Sequence, residues 1–287
     1  MSAKLLDGKL LAANLKQSLK QEIETLKKKT GTAPCIANIL LTDDPASLAY
    51  ANSQKNAAES VGIQYRMINV AANSSQKELE IQIQKLNQDK AIHGIMLHKP
   101  VPAQINYSAA VNGIDPVKDV EGMGVANIGK LVLGTTKIIP CTAAAAMEHI
   151  RSTGVALRGK EAVIVGRSEI VGKPLSLLLL AESATVTICH TGTSQAGTLE
   201  AHVKRADIVV AAVGKPGFVK GEWIKKGAIV IDVGINKIDG KIVGDVEFEA
   251  AAGKAAFITP VPGGVGPVTA VIIMKNTLEA FKAQMGI

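Results

Sequence analysis

Apolar positions along the first 140 residues switch period several times. Leu11, Leu15, Leu19, Ile23 and Leu26 recur every three or four places, the spacing of one helix face, and the run stops at Gly31. Residues 35–41 form a short β-type run, Thr42-Asp-Asp-Pro45 reads as a turn, and residues 46–61 read as a helix closed by Gly62. Residues 65–70 predict a second strand. Ser75 followed by Glu78 is a capping box for a helix that carries Leu79, Ile83 and Leu86 on one face. Residues 92–97 predict a third strand, ended by Pro100 and Pro102.

The remainder is more regular. Residues 163–165, 185–189, 208–213 and 229–233 are β-branched runs separated by helix-length segments, with a further strand expected at 256–259 and a closing helix over 269–284. Runs apolar on both faces suit a parallel sheet covered by helices on each side. The join between the halves is expected near Pro140-Cys-Thr142, where Thr142 predicts an N-cap for a helix over 143–151. The pattern is that of a two-lobed α/β protein.

Composition narrows this further. A chain of 287 residues, 47% hydrophobic and 20% charged, has material for two cores and is not of disordered type. Aromatics at 3% argue against a base-stacking surface. The net charge of +7 is dispersed; its one run, Lys27–Lys29, suits a helix C-terminus, so nucleic acid is not an expected partner. Three cysteines without a C-x-x-C pair predict neither a disulfide scaffold nor a Cys-based zinc site. The histidines at 93, 149, 190 and 202 have no metal-ligand spacing, so no metal is expected. Asp7 and Lys9 interrupt the N-terminal apolar stretch, and no apolar run approaches the roughly 18 residues of a membrane helix. A cytoplasmic location without membrane contact is the expectation.

Gly166-Arg-Ser-Glu-Ile-Val-Gly-Lys-Pro174 lies between an expected strand and an expected helix, the setting in which backbone N–H groups and a helix start bind a pyrophosphate. It departs from G-x-G-x-x-G, with Ser168 at the second glycine and the last glycine displaced by one, so a turn without a ligand explains it about as well. The acid expected about 20 residues on for a ribose is absent; the next strand ends Cys189-His-Thr-Gly192. Arg167 suits a 2′-phosphate, which favours NADP over NAD; an arginine unrelated to any ligand is the alternative.

Several stretches together resemble the methylenetetrahydrofolate dehydrogenase/methenyltetrahydrofolate cyclohydrolase family. They are Asp43-Asp-Pro-Ala-Ser47 with Tyr50, Lys118-Asp-Val120, Pro140-Cys-Thr142, the 166–174 loop, Val230-Ile-Asp-Val-Gly-Ile-Asn236, Gly244-Asp-Val246, and Pro260-Val-Pro-Gly-Gly-Val-Gly-Pro267 with Thr269. The resemblance implies a folate lobe at 1–140 joined by a returning helix at 269–287, a Rossmann-type NAD(P) lobe at 141–268, an active site in the cleft between them, and a homodimer. Its implied substrate is methylenetetrahydrofolate or its polyglutamates. Gly166, Arg167, Ser168, Thr191 and Ile235 are the implied dinucleotide contacts. Tyr50, His98, Glu121, Pro262, Gly263, Gly264 and Thr269 are the implied substrate contacts. Gly192 stands where family members often carry Lys or Arg, which keeps NAD open as a second cofactor.

The chain also departs from the family. The catalytic lysine four residues after the tyrosine is Gln54 here, and Lys55 is turned about 100° around the helix. His98 replaces a glutamine beside that lysine, Glu121 replaces a pocket aspartate, and Ala143 replaces a proline. Tyr50, Gln54, His98 and Glu121 are thus the candidate catalytic set. Hydride transfer needs alignment more than a base, whereas hydrolysis of the methenyl product needs proton transfers that a glutamine cannot supply. The expectation is an active dehydrogenase with a weak or absent cyclohydrolase. The alternatives are a fully bifunctional enzyme using His98 or a displaced lysine as base, and a folate-binding protein without turnover.

Overall fold

The computed structural model describes Ala3–Thr42 and Asp44–Ile287; Asp43 of the turn motif lies outside the described residues. The chain begins with a short strand, β1 (Lys4–Leu5), and a long helix, α1 (Gly8–Thr30). The described residues divide into two units, one of Asn14–Ile139 with Ala270–Ile287, the other of Pro140–Thr269 with residues 3–13.

In the first unit, β2 (Cys35–Leu40), α2 (Pro45–Ser60), β3 (Gln64–Asn69), α3 (Gln76–Gln88) and β4 (Gly94–Leu97) alternate, followed by α4 (Tyr107–Asn112) and α5 (Val125–Val132). The three strands form a parallel sheet in the order β3-β2-β4. β2 and β4 are buried along their whole lengths, and their residues are apolar apart from Asn38 in β2. The Asp44 side chain caps α2, and the Ser75–Glu78 capping box opens α3 as expected.

The Lys118-Asp119 motif has a structural use. Lys118 Nζ donates to the carbonyls of Leu86 (3.1 Å), Asn87 (2.8 Å) and Asp89 (2.8 Å), closing the C-terminal end of α3. The Asp119 carboxylate accepts from the backbone of Gly122 (3.1 Å) and Gly124 (2.8 Å) and from Asn127 Nδ2 (3.0 Å). Both ends of the turn that carries Glu121 are therefore pinned.

The second unit contains α6 (Cys141–Ser152), β5 (Glu161–Val165), α7 (Gly172–Ala181), β6 (Thr185–Cys189), α8 (Thr191–Gln195), α9 (Leu199–Arg205), β7 (Ile208–Ala211) and β8 (Ile229–Asp232). A hairpin, β9 (Asn236–Ile238) with β10 (Lys241–Val243), then α10 (Phe248–Ala252) and β11 (Phe257–Ile258) complete it. Its six-stranded sheet is parallel throughout, in the order β1-β11-β8-β7-β5-β6. The final helix, α11 (Val265–Met285), starts four residues before the expected position, and the division between units falls within it after Thr269. Its later turns are tied to the first unit: Asn276 Nδ2 donates to the carbonyls of Val120 (2.8 Å) and Ile139 (2.9 Å).

Two expectations are corrected. Residues 3–13 do not belong with the 14–139 unit, because β1 adds to the edge of the large sheet through β11. Thr142 is not an N-cap: α6 starts at Cys141, after Pro140, with no side-chain cap. All three cysteines are free and buried. Among the described residues no helix is long and apolar enough to cross a membrane, and no group of three potential ligands could hold a metal ion.

Candidate active site

Two groups of side chains stand out, one in each unit. In the first unit α2 carries Tyr50 and, one turn later, Gln54. The Tyr50 ring lies 5.7 Å from the His98 ring, centroid to centroid, at the end of β4. His98 is buried, and burial lowers its imidazole from the ordinary histidine value, which favours the neutral form.

Gln54 is buried in a polar triad. Its Oε1 accepts from Tyr65 Oη (3.3 Å) and Asn38 Nδ2 (3.5 Å), and Asn38 Nδ2 also donates to Tyr65 Oη (2.6 Å). Burial pushes the Tyr65 phenol up to about 12, so it remains protonated and can donate. Asn38 and Tyr65 escaped the sequence reading; both sit on strands, β2 and β3, whose apolar pattern gave no reason to pick them out. Lys55 diverges from Gln54 as the helical angle requires and pairs with Glu59 at 4.0 Å.

Glu121 follows the pinned Lys118–Val120 stretch. Burial, with the nearby Asp119 charge, raises its carboxyl to about 7; Lys99, Tyr107 and the Leu97 amide oppose that rise. Tyr107 Oη is 3.4 Å from Glu121 Oε2, and Lys99 Nζ lies 3.8 Å from the centroid of the Tyr107 ring. Tyr107 and Lys99 were also missed by the sequence reading. The unit thus presents a neutral imidazole, a carboxyl titrating near neutrality and a non-titrating amide at 54.

In the second unit a cavity of about 420 Å³ opens beyond the carboxyl ends of β5, β6 and β7, where open parallel sheets take ligands. Gly166, Arg167 and Thr191 line it with His190, Ser194, Gln195, Val213, Lys215 and other residues; Ser168 and Ile235 do not. Gly166 has φ +131°, and a Cβ there would lie 2.2 Å from the Ala212 carbonyl oxygen, so the position accepts no side chain. Ser168 Oγ accepts from Val171 N at 3.1 Å within the same turn, which leaves its O–H free to donate. Ile235 is exposed, next to the β9–β10 hairpin. With Arg167 and Lys215 on its lining and no acidic residue there, the cavity suits an anionic ligand. A bare-backbone turn at a strand end, facing such a cavity, fits the pyrophosphate of a dinucleotide.

Pro262, Gly263, Gly264 and Thr269 belong to this second unit, apart in the chain from Tyr50, Gln54, His98 and Glu121. The Val261–Pro262 bond is cis, and the Gly263 carbonyl accepts from Gly8 N at 2.9 Å. Thr269 Oγ1 bonds back to the Val265 carbonyl within α11 at 3.1 Å.

Comparison with known proteins agrees along the chain. Residues 6–121 match the tetrahydrofolate dehydrogenase/cyclohydrolase catalytic domain, and residues 140–285 match the NAD(P)-binding domain of the same family. The bifunctional protein FolD of Acetivibrio thermocellus is 48% identical over 285 residues, covering 99% of both chains. The crystal structure of the bifunctional enzyme FolD from Campylobacter jejuni, a methylenetetrahydrofolate dehydrogenase/cyclohydrolase, superposes with a TM-score of 0.93 at 40% identity, over 98% of this chain and 99% of that one. The Trypanosoma brucei enzyme, solved with NADP cofactor and inhibitor, gives 0.92 at 39% identity over 100% of both. These relatives are named for both activities, so the expectation of a weak or absent cyclohydrolase is not borne out. The cofactor-lobe and folate-lobe motifs, in order and over nearly the full length, place this chain in the tetrahydrofolate dehydrogenase/cyclohydrolase family.

Proposed function

We propose that the chain oxidises methylenetetrahydrofolate, or its polyglutamates, to methenyltetrahydrofolate, with NADP as the hydride acceptor. The observation that carries this reading is the glycine cradle at Gly166 opening onto a cation-lined cavity, in a chain that matches both domains of the family. When bound, the dinucleotide supplies a nicotinamide ring that takes the hydride. Gly166, Arg167, Ser168, Thr191 and Ile235 would hold it, Gly166 by close backbone approach and Arg167 by pairing with a 2′-phosphate.

Tyr50, His98, Glu121, Pro262, Gly263, Gly264 and Thr269 would contact the folate. Hydride departure leaves a cation at the one-carbon bridge, and an ionised Glu121 supplies the balancing negative charge. Gln54, held by Tyr65 and Asn38, orients without exchanging a proton. The same reading makes the protein a cytoplasmic homodimer.

A second reading adds hydrolysis of the methenyl product. The relatives' names favour it, and so does His98, which burial keeps neutral and able to accept a proton from attacking water. Lys55 is turned about 100° around the helix from Gln54 and pairs with Glu59 at 4.0 Å, which favours His98 over it as that base. One assay separates the readings: methylenetetrahydrofolate is supplied with NADP and then with NAD, and reduced dinucleotide and methenyl product are recorded separately. Reduction with NADP supports the proposal, and removal of methenyl product faster than in buffer supports the second reading. No reduction with either dinucleotide would leave a folate-binding protein without turnover.

A further inference from the structure

Two buried aspartates lie behind the dinucleotide cavity, and the chemistry described so far does not use them. Asp245 and Asp232 are 0% and 3% exposed. Asp245 Oδ2 accepts from the backbone of Val213 (2.6 Å) and Gly214 (2.9 Å), and its Oδ1 accepts from Lys215 N (2.9 Å) and Asn236 Nδ2 (2.9 Å). Asp232 holds Asp245 in turn. Its Oδ1 accepts from Asp245 N and Gly234 N, each at 3.0 Å, and its Oδ2 from Val246 N at 2.9 Å.

We propose that Asp245 is a positioning residue of the dinucleotide site: its carboxylate sets the 213–215 loop and, through Asn236, the segment that carries Ile235. Val213 and Lys215 line the cavity beside Arg167, so the three successive N–H groups gathered by one carboxylate fix the wall the ligand meets. Successive backbone N–H groups that turn toward one point bind an anion, and here that anion is internal. Two glycines make room for the pair. A Cβ at Gly234 would lie 2.2 Å from Asp245 Oδ1, and one at Gly244 would lie 1.9 Å from Asp232 Oδ2. This accounts for the Asp-Val-Gly-Ile-Asn and Gly-Asp-Val stretches as one device.

Asparagine at 245 keeps the volume but turns an amide NH2 toward two of the four donors, whichever way it is placed. The inference rests on the cavity being the dinucleotide site, so the test reads binding directly. Reduced NADP is titrated into the full-length wild type, Asp245→Asn and Asn236→Ala proteins by nicotinamide fluorescence, with thermal unfolding of each apoprotein recorded alongside. Folded Asp245→Asn should bind about 10- to 100-fold more weakly, and Asn236→Ala, which removes one donor, about 3- to 10-fold more weakly. In turnover the apparent KM for the dinucleotide should rise while that for the folate stays unchanged.

A variant that unfolds earlier yet binds as tightly as wild type would overturn the proposal, because the aspartate would then serve stability alone. Should Asp245→Asn fail to fold, Asn236→Ala decides in the same terms. Absence of binding by wild type would instead overturn the assignment of the cavity.

Discussion

Glu121→Gln isolates the near-neutral carboxyl of the first unit. In the folded chain this carboxyl titrates at about 7 rather than 4.5, chiefly because it is buried. At about 1.4 kcal/mol per pH unit, the difference corresponds to about 3 kcal/mol. The folded value lies above the unfolded one, so the stability supplied by the protonated acid is fully present below pH 4.5 and is lost as pH rises through about 7. Glutamine copies the protonated acid in size and does not titrate. Thermal unfolding followed by circular dichroism, on both proteins between pH 4.5 and 8, measures the difference. The two should melt nearly together at the acid end. By pH 8 the variant should be more stable by up to about 3 kcal/mol, or roughly 6–12 °C in Tm. A difference in Tm that stays constant across this range would refute the assignment of a near-neutral carboxyl at 121.

Other expectations follow from the same geometry. Lys118→Met should cost about 2–4 kcal/mol, since three carbonyls at the end of α3 lose their donor; urea unfolding reads this, and a loss under about 0.5 kcal/mol would contradict it. Gly166→Ala should weaken dinucleotide binding at least 100-fold, because the new methyl meets the Ala212 carbonyl; calorimetric titration with NADP checks this. Arg167→Ala should raise the KM for NADP about 10- to 100-fold while changing that for NAD less than about 3-fold. Equal effects on the two dinucleotides would remove the 2′-phosphate role.

The alternation of helix and strand was legible because both sheets are parallel and their central strands are buried. Runs such as residues 208–211 and 229–231 have no polar face to disguise them. The place of β1 was not legible: two residues, Lys4 and Leu5, carry no period, and only their pairing with Phe257 and Ile258 makes them a strand. Gln54 could be singled out by its spacing from Tyr50, but its partners Asn38 and Tyr65 come from separate strands whose register no local pattern encodes. Ser168 was singled out by its motif position alone; that its Oγ also accepts from Val171 N depends on the loop's own geometry, which no residue pattern encodes. The buried aspartates at 232 and 245 were visible only as parts of motifs, since their meaning depends on the 213–215 loop, 30 to 32 residues from Asp245, and on Asp245 and Val246, 13 and 14 residues from Asp232, closing on them.

The central claim is that a hydride passes from the one-carbon bridge of the folate to NADP on this chain. Methylenetetrahydrofolate with both hydrogens of the bridging carbon replaced by deuterium, incubated with the purified protein and NADP, tests it directly by mass spectrometry of the reduced dinucleotide. The account predicts one deuterium in each reduced NADP formed. Reduced NADP without the label, or no reduction at all, would contradict it.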